Sequence, residues 1–267
     1  MSMYKLIIFD LDGTLAESKQ SLTPEMAALL ARLLAVTRIA IVSGGALPQF
    51  LKQVVSRLPN GADFTNLYLL PTSGAALYEY DPSTSLDSTR DKSLGASWKK
   101  IYEERLSGKE AHAIEAAMRA AAEETGLIDF SKPAYGERIE YRGGQVTMSA
   151  LGQQAPLALK KEWDPDHAKR HALQTNIAER LPEFSAGIGG ATSIDVTKRG
   201  VDKAYGIWKL CERLGIGEVE ALYVGDELCA GGNDEAVYKT DAQTRPVKTP
   251  SETAAFIESM VSGSSAP

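Results

Sequence analysis

The order of strand and helix patterns predicts an α/β fold in which a doubly wound parallel sheet carries an inserted α+β domain. Short apolar runs that end in polar residues alternate with amphipathic helices over residues 5–80, as in parallel strands joined by crossover helices. Hairpin and longer helix patterns then interrupt this alternation, which resumes near the carboxyl end of the chain. We therefore expect two units: a core built from residues 1–81 and 198–267, and an inserted unit at residues 82–197.

Composition limits the classes of partner and compartment. The chain of 267 residues is 43% hydrophobic, which is typical of a globular protein with a substantial core. Its net charge of −6 argues against nucleic acid as the main partner, because phosphate backbones select basic surfaces. Cys211 and Cys229 are too few for a disulfide framework. Since we find no apolar run that could span a bilayer and no room for a signal peptide before residue 5, we expect a cytoplasmic protein without a membrane partner.

The first strand pattern runs directly into two acidic residues. Residues 6–9 form an apolar run typical of a strand that is buried on both faces, and Asp10, Asp12 and Gly13 follow it. Buried carboxylates require a cation or hydrogen bonds, and Gly13 allows a tight turn whose N–H groups can face an anion. Because open α/β sheets bind ligands at the carboxyl ends of their strands, this stretch predicts a metal and phosphate site.

The other elements of the first core segment follow from local signals. Thr23 and Pro24 are typical of a helix start. A second strand pattern ends in Ser43 and two glycines, which by themselves suit an ordinary loop as well as a binding turn. We expect helices at 24–36 and 46–58, and strands at 38–42, 67–70 and 75–80.

The inserted unit has the pattern of an α+β domain. The polar run at 81–85 predicts a linker or the tip of a hairpin. Ser107 and Gly126 are typical of the cap and the stop of a helix, and Gly143 and Gly144 of a hairpin turn. We expect helices at 108–125 and 164–180, and strands at 137–142, 145–151, 184–188 and 192–196.

Two further candidate site residues lie where the core pattern resumes. Lys203, near the start of a helix expected at 201–214, could hold a phosphate oxygen, although a lone lysine is more often solvated. Asp226 follows a strand pattern at 219–224 and repeats the arrangement of Asp10, with oxygen ligands that suit Mg²⁺. A last helix is expected at 251–261. Cys229 is interpreted as a packed thiol, and His112, His167 and His171 as solvated side chains on polar helix faces.

The sequence Phe-Asp-Leu-Asp-Gly-Thr-Leu at 9–15 resembles the first motif of the haloacid dehalogenase superfamily of phosphotransferases, and Ser43, Lys203 and Asp226 match its later motifs in order. The resemblance implies a Rossmann-like core in which Asp10 is the nucleophile that forms an aspartyl-phosphate and Asp12 is the acid and base. Ser43 and Lys203 would bind the transferring group. The resemblance also implies a Mg²⁺ site at Asp10, Asp12 and Asp226. Supporting residues would be Thr14, Asn233 and Asp234.

Three segments, at 139–152, 189–203 and 225–234, are similar to the eukaryotic-type phosphomannomutases, and the inserted unit matches the superfamily class with a large α+β cap. The resemblance implies transfer of phosphate between positions 1 and 6 of a hexose, with mannose phosphates favoured. A hexose-phosphate phosphatase is the alternative. An inactive sugar-phosphate binding module is disfavoured because each core catalytic residue is present.

The same resemblance assigns substrate contacts in the cap. Arg142 would bind the distal phosphate of a hexose bisphosphate, and Ser193 and Asp195 would hold sugar or phosphate oxygens. Lysine keeps the charge of arginine but loses its bidentate fork, and glutamine loses the charge. Both replacements occur here, where three arginines of the family pattern correspond to Lys19, Gln153 and Lys160. Related mutases form homodimers through the cap, an assembly that the sequence does not itself establish.

Overall fold

The computed structural model describes residues 4–83 and 97–263, and in these ranges the chain forms a sheet of seven strands and a sheet of four. The strands are β1 (Leu6–Asp10), β2 (Arg38–Val42), β3 (Leu67–Leu70), β4 (Ala76–Tyr80), β5 (Trp98–Glu103), β6 (Ile139–Tyr141), β7 (Gln145–Ser149), β8 (Phe184–Ile188), β9 (Ser193–Lys198), β10 (Ala221–Gly225) and β11 (Gln243–Pro246). The helices are α1 (Pro24–Leu34), α2 (Leu47–Gln53), α3 (Gly108–Thr125), α4 (Leu157–Trp163), α5 (Ala168–Arg180), α6 (Lys203–Leu214) and α7 (Pro250–Gly263). None of these helices combines the length and apolar content that a bilayer-spanning helix requires.

The large sheet has the order β11-β10-β1-β2-β3-β4-β5. The pairs from β11 to β3 are parallel, and β4 and β5 are added in antiparallel orientation. Because β1 lies between β10 and β2, the carboxyl ends of these three strands meet at one edge of the sheet. The predicted α/β class with a parallel central sheet is confirmed, and two antiparallel strands extend it.

Helices cover both faces of the large sheet, so that the apolar run of β1 is buried on both sides. Ile7 and Phe9 pack into one apolar cluster with α1, α2 and α7. Leu6 and Ile8 pack into a second cluster that includes α6. All four side chains are at most 1% exposed, as the sequence pattern predicts for a strand between two helical layers.

The small sheet forms the cap and has two chemically different faces. Its order is β6-β7-β9-β8, with each pair antiparallel. Val146 and Met148 of β7 pack with α3 and α5 in an apolar cluster of the cap. Because side chains alternate along a strand, Gln145 and Thr147 lie on the opposite face, which is polar and is directed toward the large sheet.

The chain leaves the large sheet after Glu103, whereas the sequence pattern placed the first boundary at residue 82. Strand β5 lies within the expected inserted unit but pairs with β4, Tyr80 opposite Trp98. Tyr80 and Trp98 also pack edge to face, with ring centroids 5.8 Å apart. The predicted linker or hairpin tip at 81–85 falls partly outside the described residues. On the far side, β9 ends at Lys198 and α6 begins at Lys203.

Candidate active site

A cavity of about 1080 Å³ lies between the carboxyl edge of the large sheet and the polar face of the cap. The predicted site residues that line it are Asp10, Asp12, Lys19, Ser43, Arg142, Gln153, Lys160, Ser193, Asp195, Lys203, Asp226 and Asn233. Thr14 and Asp234 are fully buried and contact residues of the wall. The structure therefore brings side chains from distant parts of the chain to a single cavity.

Lys203 joins two buried carboxylates beneath the cavity. It is the first residue of α6, whose start is capped by Asp202. Its Nζ lies 2.6 Å from Asp10 Oδ1 and 2.5 Å from Asp234 Oδ1. Burial opposes the charge on Lys203, but the two carboxylates outweigh burial and raise its pKa. Burial raises the pKa of Asp10, and the Lys203 ammonium opposes that rise. This ion pair fixes one oxygen of Asp10.

The second oxygen of Asp10 is left for a ligand. Asp10 Oδ2 is buried and has no hydrogen-bond partner among the described residues. A buried carboxylate oxygen without a partner is energetically costly. Asp10 ends β1 and lines the cavity, so this oxygen can meet a phosphorus atom or a cation there.

Asp226 packs directly against the turn that follows β1. Thr14 Oγ1 donates a hydrogen bond of 2.9 Å to Asp226 Oδ1. Gly13 has a φ of +97°, and a Cβ at this position would lie 2.1 Å from Asp226 Oδ2. Burial raises the pKa of Asp226 to about 6, against the hydrogen bond from Thr14. Gly13 is thus needed both for its backbone conformation and for the close approach of Asp226.

Asp12 is directed toward a different neighbour. Its Oδ1 accepts a hydrogen bond of 2.6 Å from the main-chain N–H of Lys19, and burial raises its pKa. Within residues 4–83 and 97–263, no three His, Cys, Asp or Glu side chains converge into a metal-binding group. The three expected Mg²⁺ ligands, Asp10, Asp12 and Asp226, nevertheless all line the cavity, and their carboxylate oxygens are of the kind that a hard cation prefers.

Ser43 follows β2 immediately beside Asp10, because Asp10 pairs with Val42. The Ser43 side chain is buried, and its Oγ accepts a hydrogen bond of 3.3 Å from Gly45 N. Since the oxygen is the acceptor in this bond, the hydroxyl proton can be donated to a ligand. Ser43 is thus placed to contact a phosphoryl group held at Asp10.

Three cations converge on Gln153 at the cap side of the cavity; we call Lys19, Arg142 and Lys160 the cation cluster. Lys19 Nζ lies 2.7 Å from Gln153 O and 2.9 Å from Gln153 Oε1. Arg142 Nη2 lies 3.1 Å from the same Oε1, and Lys160 Nζ lies 3.5 Å from Gln153 O. Burial lowers the pKa of Lys19 to about 8, and the charges of Lys160 and Arg142 add to the effect. A cluster of like charges of this kind favours an anion.

The Arg142 guanidinium is already engaged by several protein acceptors. Its Nε and Nη2 lie 2.9 and 2.6 Å from Glu140 Oε2. Its Nη1 donates a bond of 2.7 Å to the main-chain oxygen of Gly44. Arg142 therefore bridges the cap and the turn after Ser43, and Glu140 partly neutralises its charge.

Asp195 and Ser193 lie on the polar face of β9. Asp195 Oδ1 accepts a hydrogen bond of 2.8 Å from Thr147 Oγ1. Burial raises the pKa of Asp195, and the charge of Arg142 opposes that rise. Ser193 lines the cavity two residues before Asp195. The two side chains offer oxygens to the same cavity that Asp10 and the cation cluster line.

Sequence reasoning missed a buried ion pair in the cavity wall. Arg170 Nε lies 2.8 Å from Asp164 Oδ2, and Arg170 Nη1 donates a bond of 3.2 Å to Gly190 O. The pair thereby connects α5 to the turn that precedes Ser193. The sequence feature that could have indicated this ion pair is Asp164 followed by Pro165, which predicted only the start of a helix.

The expectation of a packed thiol was wrong for Cys229, and His167 is partly buried rather than solvated, whereas His112 and His171 are exposed as expected. A Cβ on Gly231 would lie 2.5 Å from the ring of His171, and His167 Nε2 lies 3.8 Å from Glu227 Oε1. These two cap histidines therefore contact the loop that follows Asp226. Cys229 in the same loop is exposed.

Comparisons with known proteins agree with this geometry. The family model for eukaryotic phosphomannomutase matches residues 125–262. The phosphomannomutase of Spinacia oleracea is 26% identical over 241 residues, which cover 88% of this chain and 87% of that protein. The phosphomannomutase of Saccharomyces cerevisiae is 28% identical over 255 residues, which cover 93% and 91%.

Solved structures share the fold at low sequence identity. An IMP-nucleotidase of Plasmodium falciparum superposes with a TM-score of 0.65 at 17% identity, covering 97% of this chain and 68% of that chain. SMU.1108c of Streptococcus mutans UA159 superposes with a TM-score of 0.62 at 15% identity, covering 97% and 99%. These likenesses concern the fold alone. Because the matched family range covers more than half of the sequence, the chain belongs to the eukaryotic phosphomannomutase family, a family of phosphotransferase enzymes with the haloacid dehalogenase fold.

Proposed function

We propose that the protein is a Mg²⁺-dependent enzyme that interconverts mannose 1-phosphate and mannose 6-phosphate through an aspartyl-phosphate on Asp10. One observation carries the proposal: the cation cluster lines the same cavity as Asp10, whose buried Oδ2 has no hydrogen-bond partner among the described residues. A hexose bisphosphate has two phosphates that need two such sites. The relatives that carry the name phosphomannomutase match over most of their own length.

Asp10 and Asp12 supply the covalent and the proton-transfer steps. Asp10 Oδ2 attacks phosphorus and forms the aspartyl-phosphate, while the bond from phosphorus to the sugar oxygen breaks. The departing oxygen takes a proton from Asp12, whose burial-raised pKa favours the protonated form. In the return transfer the free hydroxyl of a hexose monophosphate attacks the aspartyl-phosphate, the bond from phosphorus to Asp10 breaks, and Asp12 takes up the hydroxyl proton, which gives the bisphosphate.

Further residues of the site stabilise the transferring group. Ser43 donates its hydroxyl proton to a phosphoryl oxygen, and Lys203 offsets negative charge beside Asp10. Oxygens of Asp10, Asp12 and Asp226 would hold Mg²⁺, with Thr14 orienting Asp226. When bound, the ion neutralises charge that would otherwise repel the nucleophile.

The cation cluster binds the phosphate that is not reacting. Ser193 and Asp195 hold sugar oxygens between the two phosphates. Between the two transfers the bisphosphate turns over and presents its other phosphate to Asp10. Gln153 Nε2 is buried and unpaired within the described part of the chain. This amide can donate to a phosphate oxygen but adds no charge.

A hexose-phosphate phosphatase is the second candidate, and the neutral Gln153 at the centre of the cation cluster favours it. Glu140 also offsets part of the charge of Arg142. A cluster that releases the bisphosphate too early would allow water, rather than a sugar hydroxyl, to accept the phosphoryl group from Asp10.

One assay with the full-length protein separates these candidates. Mannose 1-phosphate, Mg²⁺ and a trace of hexose bisphosphate are supplied, and mannose 6-phosphate and free phosphate are followed in the same tube. Mannose 6-phosphate without phosphate release establishes the mutase. Phosphate release without isomerisation establishes the phosphatase. Asp10→Asn should abolish either activity, and if the wild type is as silent as this variant the proposal is wrong.

We propose a cytoplasmic location and supply of mannose 1-phosphate for GDP-mannose synthesis, with the small hexose phosphate as the ligand class and no nucleic-acid or membrane partner. The negative net charge and the free thiols Cys211 and Cys229 support this setting. The proposed assembly is a homodimer through the cap. Light scattering on the purified protein and on a cap-surface variant, Tyr135→Glu, tests it, because Tyr135 is a half-exposed aromatic residue of the cap.

A further inference from the structure

Gln145 is a buried side chain of the cap that reaches the main chain of the core. It starts β7 on the polar face and is 0% exposed. Its Nε2 donates hydrogen bonds of 3.1 Å to Gly44 O and 2.8 Å to Thr147 Oγ1. Its Oε1 is buried without a partner among the described residues. An unpaired buried acceptor is costly. The amide keeps this orientation because its Nε2 makes the two donated bonds.

The bonds of Gln145 continue in one direction to Asp195. Thr147 Oγ1 accepts from Gln145 and donates its own proton to Asp195 Oδ1 at 2.8 Å. The series therefore runs from a main-chain oxygen of the core, across the cap sheet, to a carboxylate in the cavity wall. Each hydroxyl or amide proton in it has a defined acceptor.

Gly44 is the point at which the cap meets the phosphoryl-binding turn. Its main-chain oxygen accepts from Arg142 at 2.7 Å as well as from Gln145. A Cβ on Gly44 would lie 2.7 Å from Asp195 Oδ2. Ser43 directly precedes Gly44, so any movement of this contact also moves the Ser43 hydroxyl.

We propose that Gln145 is a positioning residue that couples the sugar contact at Asp195 to the Ser43–Gly45 turn when the cap is closed. The bond from Gln145 to Gly44 O fixes the position of the Ser43–Gly45 turn. The bond from Gln145 to Thr147, which in turn donates to Asp195, makes the position of the turn depend on the orientation of Asp195. The inference rests on the proposed function, in which Ser43 holds the phosphoryl group and Asp195 the sugar.

The first test does not depend on any substrate. Gln145→Leu removes both donors at similar volume, and Gln174→Leu is the matched control, because Gln174 Nε2 donates to Ala186 O inside the cap. Hydrogen exchange of the amides at residues 43–45 is measured in the full-length protein. We expect exchange about tenfold faster in Q145L, corresponding to one buried hydrogen bond, and wild-type exchange in Q174L. Unchanged exchange in Q145L would overturn the proposal.

The second test compares two phosphate esters. The hexose phosphate offers sugar hydroxyls to Asp195, whereas p-nitrophenyl phosphate has none. We expect Q145L to lower kcat for the hexose phosphate about tenfold with little change in KM, and to lower turnover of p-nitrophenyl phosphate less, because both esters use Ser43 but only the hexose phosphate uses Asp195. An equal loss for both esters, or a change in KM alone, contradicts the coupling. If the wild type turns over neither ester, the proposed function fails, and hydrogen exchange still decides the role of Gln145.

Discussion

Lys203 and Asp10 form an ion pair of 2.6 Å in which neither side chain is more than 4% exposed. The same ammonium also contacts the fully buried Asp234. Removing one partner from a buried ion pair leaves an uncompensated charge, which costs about 3–5 kcal/mol. We therefore expect Lys203→Met to lose activity and to lower the free energy of unfolding by about this amount, measured by urea denaturation.

The double variant Lys203→Met/Asp234→Asn tests the cause of that loss. It removes one of the two carboxylates that Lys203 compensates, so it should recover part of the stability while remaining inactive. A single variant K203M that unfolds at the wild-type urea concentration would contradict the assignment of Lys203 as the charge that holds these carboxylates.

Lys19 should give the enzyme an alkaline limit. Burial and the neighbouring cations lower its pKa to about 8, so the charge of Lys19 is lost as the pH rises through that value. In the proposed function the cation cluster needs this charge to bind phosphate, so we expect kcat/KM for the hexose phosphate to fall above pH 8. Lys19→Arg should move this limit well above pH 8, because arginine stays protonated.

The exposed Lys161, which pairs with Glu17, provides the control for the pH profile. Lys161→Arg makes the same chemical change at the edge of the cavity and should leave the alkaline limit in place. An unchanged limit in K19R would show that another group titrates there.

Asp226 should destabilise the metal-free protein near neutral pH. Its pKa is raised to about 6 by burial, so the folded state binds this proton more tightly than the unfolded chain. The charged carboxylate therefore costs stability above pH 6, and the cost disappears as the pH falls toward the ordinary aspartate value. Asp226→Asn should raise the free energy of unfolding by about 1–2 kcal/mol at neutral pH and have no such effect in acid.

Mg²⁺ should reverse the order of stability of the wild type and D226N. The ion is expected to raise the Tm of the wild type and not that of D226N, because only the carboxylate offers the charge that the ion binds. A wild type whose Tm ignores Mg²⁺ at millimolar concentration would argue against Asp226 as a ligand.

Gly13 and Gly61 separate backbone strain from crowding. Both have a φ near +90°, but a Cβ on Gly13 would lie 2.1 Å from Asp226 Oδ2, and a Cβ on Gly61 would have no heavy atom within 4 Å. Gly61→Ala should cost about 1 kcal/mol of stability and leave activity unchanged. Gly13→Ala should cost more and should also weaken activity, because Asp226 must move. Equal effects of the two variants on activity would contradict the close packing of Gly13 on Asp226.

Elements with strong local signals could be predicted from the sequence. The bounds of α3 were predicted because Ser107 and Glu110 form a capping box and Gly126 adopts the left-handed conformation that ends the helix. By contrast, β11 is a short edge strand with mostly exposed, polar residues and was missed. Helix α5 begins at Ala168, later than expected, because Asp164 accepts the N–H groups of Lys169 and Arg170 inside the first turn.

The candidate site likewise contains residues that the sequence predicts and contacts that it does not. Asp10, Ser43 and Asp226 follow parallel strands, and the topology of the sheet alone brings their positions together. The contacts Gln145–Gly44 and Arg170–Gly190 depend on how the cap docks and on how its turns pack. Such contacts carry no local pattern, so a single sequence does not reveal them.

The strand order also determines when a newly made chain can become active. Strand β1 lies between β2 and β10, with Leu6 opposite Ala221, so the large sheet stays incomplete until the last part of the protein has left the ribosome. The cap has its own apolar cluster and can fold earlier during synthesis. Asp10 is made among the first residues and its partner Lys203 among the last. Products of translation that stop before α6 therefore contain Asp10, the proposed nucleophile, without Lys203 and Asp226.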